Sequence, residues 1–235
     1  MSTDIGFALN YQHIFEVNVT PTADSATWAW VGPGIKTITP DTSETSNDDA
    51  YYSSEGNTET TVTGLTKKYS VEGDRKYSDP FQDYVASIEE LVGEDRKTQY
   101  RITNPNGKII QAECTIADIK AEGPNGDANS KTGFSCSIAR NGACTVVQDA
   151  TGNVLPETVT ASAVSVAKGK TASVSATVTP SAASSRCLFA VEDDSIATVS
   201  TDGVVTGVAA GKTKVAVKCA AKPSISCTVE VTVTA

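Results

Sequence analysis

The segment DDSIATVSTDGVVTGVAAGKTKVAVKC, residues 193–219, is the most informative stretch for the fold of the C-terminal part of the chain. Valine and other residues that favour strands alternate in it with polar residues, which is the pattern of half-buried β-strands. Asp202-Gly203 predicts a tight turn, Gly207 predicts a bend, and Gly211 predicts the opening of the next strand. The segment therefore predicts short strands joined by glycine turns.

The same rhythm extends outward in both directions, from about residue 159 to the end of the chain. Short runs of alternating apolar residues are separated by Gly or Pro, a spacing typical of an immunoglobulin-like sandwich. The inward-facing positions predicted outside the first segment are Val164, Val166, Val174, Ala176, Val178, Val229, Val231 and Val233.

This part of the chain resembles the bacterial immunoglobulin-like group 2 module over almost its whole length. The resemblance lies in AVSVAKGKTASVSATVTP (163–180), in the segment quoted above, and in CTVEVTV (227–233). Phe189 stands where that family usually has a core tryptophan, a departure that weakens the core slightly. The resemblance implies an immunoglobulin-like β-sandwich.

The composition changes near residue 155 and predicts two domains, 1–155 and 156–235. Both tryptophans and all seven tyrosines precede this point. The first part carries 22 acidic and 12 basic side chains, a balance of −10, and the second carries 6 acidic and 7 basic, a balance of +1. Nucleic-acid binding depends on Lys and Arg that neutralise phosphates, so the acidic first part is predicted to repel DNA.

The segment from Asp79 to Gly93, DPFQDYVASIEELVG, predicts a helix of about three and a half turns. Asp79 suits the N-cap, Pro80 the first helical position, and Gln82 completes a box-like cap. Gly93 predicts the end of the helix.

The apolar residues of this helix recur with helical spacing, so they predict one buried face that packs against a sheet. Glu89 and Glu90 are predicted to face water. The predicted buried face comprises Phe81, Tyr84, Val85, Ile88, Leu91 and Val92.

Strand-like segments surround this helix. Residues 27–39 and 60–77 flank PDTSETSNDDAYYSSEGNTE (40–59), which predicts a long polar loop. A loop of this length in a compact domain usually has a function or becomes ordered on binding. We therefore predict a subunit interface at its centre, formed by Asp48, Asp49, Tyr51 and Tyr52.

Two further hairpins are predicted downstream of the helix. The first turns at Asn106-Gly107, within YRITNPNGKIIQAECTIADIKAE, and the second at Asn141-Gly142, within TGFSCSIARNGACTVV. With the preceding strands they predict a β domain that carries one packed helix.

Residues 20–147 resemble tail tube proteins of long-tailed bacteriophages. The resemblance lies in the order of WAWVGPGIKTITPDTSETSNDDAYYSSEG (28–56), TGLTKKYSVEGDRKYSDPFQDYVASI (63–88) and the two hairpins. It implies a mainly β fold: a tail-tube-type β-sandwich or barrel with one packed helix, followed by the immunoglobulin-like sandwich, which that family commonly appends.

The resemblance also implies a structural virion protein whose hexameric rings stack into the tube for DNA ejection. The implied partners are copies of the chain and the tape measure, tail terminator and baseplate proteins, while DNA passes through the lumen without specific binding. The immunoglobulin-like domain would decorate the exterior and could add a weak glycan contact at the host surface. The N-terminal residues lack a secretory pattern, so assembly is expected in the host bacterial cytoplasm, without a membrane.

The second hypothesis is a bacterial surface adhesin or carbohydrate-binding protein, because group 2 modules also occur on bacterial surfaces. An enzyme is the third. We predict no catalytic, cofactor-binding or metal-binding residues, because His13 is the sole histidine of the sequence and sits in an apparent strand.

The six cysteines show none of the close pairs of structural zinc or redox motifs. Cys114 and Cys136 fall in phase with apolar strand positions and are predicted to be buried free thiols. Cys187 with Cys219, or Cys219 with Cys227, could pair in an oxidising setting, and the sequence leaves the connectivity open.

Overall fold

The computed structural model of the chain describes residues 5–150 and 152–235. Met1 to Asp4, part of the N-terminal segment considered above, and Thr151 of the predicted linker lie outside the described residues. The described chain is rich in strands and has one α-helix, which confirms the predicted mainly β fold. No helix among the described residues is long and apolar enough to cross a membrane.

The strands and the helix follow one another along the chain in this order. The first part contains β1 (Ile14–Asn18), β2 (Trp28–Trp30), β3 (Ile35–Ala50), β4 (Thr58–Asp74), α1 (Pro80–Ser87), β5 (Lys97–Thr103), β6 (Ile109–Lys120) and β7 (Gly133–Gln148). The second contains β8 (Thr158–Ala161), β9 (Val164–Ala167), β10 (Thr171–Ser173), β11 (Ala176–Thr179), β12 (Cys187–Val191), β13 (Ala197–Val199), β14 (Val204–Gly207), β15 (Gly211–Cys219) and β16 (Ser226–Thr234).

The first seven strands form one sheet in the order β2-β1-β5-β6-β7-β4-β3. By contacts the chain divides into two compact units: unit 1 comprises 1–30, 100–111 and 144–235, and unit 2 comprises 31–99 and 112–143. Strands β5, β6 and β7 each run through both units. The predicted domain boundary near residue 155 stays a prediction.

Unit 2 packs α1 on the sheet. Phe81 of the helix meets Phe134 of β7 edge to face, with ring centroids 5.9 Å apart, and both rings are buried. The Arg75 guanidinium pairs with Asp83 of the helix at 2.9 Å and with Glu122, just after β6, at 3.3 Å. Apolar packing and an ion-paired arginine thus hold the helix in place.

The beginning of the helix was predicted correctly, because the Asp79 carboxylate accepts a hydrogen bond from the Gln82 backbone N–H and Pro80 is the first helical residue. The capping box was wrong. The Gln82 side chain is buried and instead binds three backbone groups: it accepts from Lys76 N–H and donates to the carbonyls of Pro33 and Asp74.

The predicted end of the helix was also wrong, since α1 has eight residues and ends at Ser87. Leu91 and Val92 are exposed rather than buried. Glu89 does not simply face water, because its carboxylate accepts hydrogen bonds from the backbone N–H groups of Ala121 and Glu122. These contacts with the chain after β6 favour a non-helical conformation after Ser87, where the helical spacing alone predicted two further turns of helix.

The predicted polar loop 40–59 is mostly a β-hairpin. Strands β3 and β4 have 16 and 17 residues and pair in register from Thr37↔Glu72 to Ala50↔Thr58, with a bulge near Thr63. Threonine favours strands, and it is frequent in this hairpin. The prediction of a loop was wrong because it considered only the polar composition of the segment.

The two Asn-Gly predictions had different outcomes. Asn106-Gly107 does turn the chain between β5 and β6: Gly107 has φ +84° and its N–H donates to the Asn104 carbonyl. Asn141-Gly142 makes no hairpin, because β7 runs through it as one strand of 16 residues. Gly142 takes a positive φ of +67° inside that strand, and the Asn141 side chain donates to Thr115 Oγ1 of β6.

The immunoglobulin-like sandwich lies within unit 1. Its sheets have the orders β12-β15-β16-β9, β10-β14-β13 and β11-β8. Asp202-Gly203 forms the predicted turn between β13 and β14, and a Cβ at Gly203 would lie 2.8 Å from the Phe189 ring. The alternating valines fill the core, including Val205, Val215, Val217, Val229, Val231 and Val233.

Candidate subunit interface

The four predicted interface residues lie together at the far end of the β3–β4 hairpin. Asp48 and Asp49 stand opposite Thr60 and Glu59, and all four of these residues are exposed. Tyr51 is 52% exposed and Tyr52 is fully exposed at the turn. The structure brings these residues together, while their role as an interface stays a prediction.

The turn that carries the tyrosines is closed by its own backbone. The Tyr51 carbonyl accepts hydrogen bonds from the N–H and the hydroxyl of Ser54, and the Asn57 side chain donates to the Ser54 carbonyl. Glu55 and Gly56 then adopt positive φ values of +53° and +83°, which reverse the chain. The two tyrosines therefore project from a locally ordered turn.

The hairpin extends beyond the sheet that supports its base. Strand β4 pairs with β7 from Asp74↔Gly133 to Lys68↔Ala139. In the direction of the turn, this pairing ends at Lys68. Within the described residues, Thr58–Lys67 has β3 as its strand partner. Open strand edges present unpaired N–H and C=O groups that can pair with another chain.

One face of the hairpin carries apolar side chains of β4 that are covered at the base and uncovered further along. Val71 and Tyr69 lie on this face at the base and are 0% and 7% exposed. Leu65 and Val62 are 49% and 53% exposed. They stand opposite Glu44 and Ser46, two residues apart on β3, so they share one face. We call Val62 and Leu65 the uncovered stripe.

Sequence reasoning missed the uncovered stripe because the segment TTVTGLTKK looks irregular. Val62 and Leu65 are three residues apart, which breaks strand alternation. The bulge at Thr63 restores the phase, since Val62 pairs with Ser46 and Gly64 with Thr45. A glycine inside a threonine-rich strand was the available signal for such a bulge.

The hairpin beyond its base is acidic. Between residues 41 and 66 it has six carboxylates and no Lys or Arg, and the first basic residues, Lys67 and Lys68, lie where the base begins. The acidic residues are Asp41, Glu44, Asp48, Asp49, Glu55 and Glu59. Negative charge therefore predominates around the uncovered stripe.

Unit 1 contains a second notable cluster, which the sequence did not predict. The Glu16 carboxylate of β1 is fully buried and accepts hydrogen bonds from Arg101 of β5, at 2.6 and 3.0 Å, and from Arg186, at 2.6 Å. Both arginines also bind Asp202 Oδ1, at 2.7 and 2.9 Å. We call Glu16, Arg101, Arg186 and Asp202 the ion cluster.

The ion cluster joins the sandwich to strands β1 and β5 of the same unit. Burial opposes ionisation of Asp202, but hydrogen bonds and charge from Arg101 and Arg186 outweigh it and hold the pKa of Asp202 below its usual value. The Thr201 hydroxyl beside the cluster donates to the Trp28 carbonyl at 2.8 Å. The structure therefore fixes the sandwich to these strands by charged and polar contacts.

Other residue types that could form sites are dispersed. His13 follows a short 3₁₀ turn, Asn10–Gln12, and directly precedes β1. Among the described residues, no group of three or more His, Cys, Asp or Glu side chains could hold a metal ion. All six cysteines are free thiols, and Cys114 and Cys136 are buried as predicted.

Residues 153–229 match the family model described as the bacterial immunoglobulin-like domain, group 2. The match confirms the resemblance found in the sequence. No curated protein matches the chain.

Several solved structures are similar to this chain. The tail of an empty gene transfer agent particle with C6 symmetry is 14% identical and has a TM-score of 0.48, over 60% of this chain and 100% of that chain. The virion of a native gene transfer agent particle is 14% identical, with a TM-score of 0.47 and the same coverage. The tube-terminating cap of the anti-feeding prophage is 10% identical, with a TM-score of 0.42, over 61% of this chain and 92% of that chain.

Proposed function

We propose that this protein is a structural subunit of a phage tail, whose copies form hexameric rings that stack into the tail tube. The type of assembly is taken from the sequence resemblance over residues 20–147. The observation that carries the proposal is the uncovered stripe. It continues a core-facing surface, yet Val62 and Leu65 remain about half exposed at 53% and 49%.

A second copy of the chain is the proposed cover. An isolated two-stranded hairpin is only marginally stable in water, so a long projecting hairpin gains stability when another chain packs on it. The stripe offers apolar area, the strand edges offer backbone pairing, and Tyr51 and Tyr52 add large amphipathic side chains. These three features belong to one projecting hairpin, which makes it the surface on which a second subunit would pack.

The acidic balance supports a conduit for DNA. Carboxylates repel phosphates, so a lumen lined by them lets DNA slide without binding. The tube would contact tape measure, tail terminator and baseplate proteins, and the sandwich would lie outside, where it could touch host glycans weakly. The protein would assemble in the host cytoplasm and remain in the virion.

A double substitution on the uncovered stripe tests the assembly. We expect Val62→Asp with Leu65→Asp to leave a folded monomer and to abolish rings and tubes in negative-stain electron microscopy. Two buried carboxylates in an apolar contact would cost several kcal/mol at each interface. Circular dichroism and size-exclusion chromatography check the fold of the monomer.

The matched control is Thr61→Asp, since Thr61 is exposed on the opposite face of the same strand. It adds charge to the hairpin without touching the stripe and should leave tubes intact. A wild-type protein that stays monomeric at high concentration, or a double variant that still forms tubes, would contradict the proposal.

The adhesin alternative makes a different prediction. An adhesin would bind defined sugars on a glycan array without forming tubes, whereas a tube subunit forms tubes whatever the array shows. The proposed boundary near residue 155 can be checked in the same preparations, because limited proteolysis would cut there if the linker is accessible.

A further inference from the structure

The sandwich core contains two facing thiols, on the neighbouring strands β12 and β15. Cys187 and Cys219 are directly opposite in the antiparallel register. Both are core residues, 3% and 0% exposed. Because directly opposed residues point to the same face of a sheet, the two sulfur atoms share one side of the strand pair.

The hydrogen-bond pattern shows which kind of pair they form. The Ala220 N–H donates to the Arg186 carbonyl at 3.0 Å, and the Glu192 N–H donates to the Lys214 carbonyl at 2.9 Å. These bonds alternate along the strands and leave Cys187 and Cys219 as a non-hydrogen-bonded pair. Such pairs have Cα atoms about 4.5 Å apart, within the range of about 4.4–6.8 Å found in disulfides.

The rival pairing does not have this geometry. Cys227 stands opposite Val217, so it is only a diagonal neighbour of Cys219. Diagonal neighbours across antiparallel strands lie about 7–8 Å apart, beyond the range of disulfide Cα distances. Of the two pairings that the sequence left open, the register therefore favours Cys187 with Cys219.

A cavity borders one of the two cysteines. It has a volume of about 250 Å³ and is lined by Cys187 together with Ser184, Ser185, Arg186 and Phe189, among others. Cys219 does not line it. A small neutral oxidant such as hydrogen peroxide fits a space of this size, whereas a tripeptide disulfide would not reach the buried thiol.

The two thiols are chemically unequal. A hydrogen bond from the Cys219 thiol, aided by the nearby Arg186 charge, lowers the pKa of Cys187 despite its burial. The same hydrogen bond together with burial raises the pKa of Cys219. The thiol at the cavity is thus the one that forms a thiolate more readily, and thiolates are the species that peroxide oxidises.

We propose that Cys187 and Cys219 are a peroxide-sensitive thiol pair that closes a disulfide between the neighbouring strands β12 and β15. The Cys187 thiolate attacks one oxygen of hydrogen peroxide, the O–O bond breaks, and the departing hydroxide takes up a proton and leaves as water. The product is a sulfenic acid on Cys187. The Cys219 sulfur then attacks the Cys187 sulfur and breaks its S–O bond, and the hydroxide released leaves as water with the Cys219 proton.

In balance, two thiols and one peroxide give one disulfide and two waters. The pair would stay reduced in a thiol-rich cytoplasm and close after release into an oxidising medium. The disulfide would link residues 32 positions apart in sequence (219 − 187) and thereby restrict the unfolded chain. This inference does not depend on the proposed tail function.

The test uses the full chain, fully reduced and then treated with a small excess of hydrogen peroxide. Free thiols are alkylated under denaturing conditions, and peptides are mapped by mass spectrometry without reduction. We expect a peptide pair joined through Cys187 and Cys219, while Cys114 and Cys136 remain alkylated. We also expect the melting temperature to rise by about 10 °C and to fall back with reductant.

Variants separate the steps. Cys219→Ser keeps a hydrogen-bond donor beside Cys187 but removes the second sulfur, so the reaction should stop at the sulfenic acid, which a dimedone probe detects on Cys187. The control Cys144→Ala with Cys227→Ala removes the two partly exposed thiols and should leave the disulfide unchanged. The proposal fails if wild-type Cys187 and Cys219 both remain alkylated after peroxide, or if Cys219 is found joined to Cys227.

Discussion

Two antiparallel hairpins of this protein both carry apolar side chains on one face, but they differ in how far that face is covered. In β15–β16 the inward valines are covered by the rest of the sandwich, and Val217 and Val231 are both fully buried. In β3–β4 the equivalent face is covered only at its base and is about half exposed at Val62 and Leu65. One hairpin completes its core within the chain, whereas the other leaves an apolar face uncovered.

This difference indicates where stability and assembly reside. A residue on a covered face contributes to the free energy of unfolding of the single chain. A residue on an uncovered face contributes little to that free energy and is available for contact with another molecule. Substitutions on the covered and the uncovered face test this difference.

The largest effect is expected at the centre of the covered hairpin. Val231→Asp would place a carboxylate in a dry core without a partner and should cost more than about 4 kcal/mol. We expect the sandwich to unfold, as measured by far-ultraviolet circular dichroism and thermal melting. Thr228→Asp, at an exposed position of the same strand, is the control and should change the melting temperature little.

These two hairpins also show how much of the fold could be read from the sequence. The sandwich was predictable because its strands follow a simple two-residue period and Asp202-Gly203 forms a hairpin turn that only a few sequences favour. The β3–β4 hairpin was mistaken for a loop because its polar composition and the bulge at Thr63 hide the alternation. Local pattern is informative where the strands are regular.

The candidate site was only partly predictable for a related reason. Tyr51 and Tyr52 could be selected from the sequence because aromatic residues in a long polar stretch are conspicuous. Val62 and Leu65 could not, since their exposure depends on where the β4–β7 pairing ends. The ion cluster joins Glu16 and Arg186, which are 170 residues apart, and no local pattern reports such a contact.

The second prediction concerns the ion cluster. It tests whether the charged contacts of unit 1 stabilise it as the buried apolar contacts do. Glu16→Gln removes the carboxylate that two arginines share and leaves both cations largely buried. Breaking such a buried pair costs about 3 kcal/mol. We expect a matching decrease in the urea midpoint of sandwich unfolding, followed by the fluorescence of the two tryptophans, one of which, Trp28, contacts Arg101.

The control for this prediction is Glu230→Gln, which removes an exposed ion pair with Lys212. Exposed pairs contribute little, so the urea midpoint should not move measurably. An unchanged midpoint in Glu16→Gln itself would mean that the cluster contributes nothing to the attachment of the sandwich.

The third prediction has the smallest expected effect on the single chain. It compares two residues on one face of β4. Val71→Ala, at the covered base, should destabilise the monomer by about 1–2 kcal/mol, because it leaves a space in a packed core. Leu65→Ala, further along the same face, should change it by less than about 0.5 kcal/mol although it removes more atoms. Urea unfolding of dilute, monomeric protein measures both. If Leu65→Ala were the more costly substitution, the stripe would be covered within the chain itself, and the argument that a second copy covers it would fail.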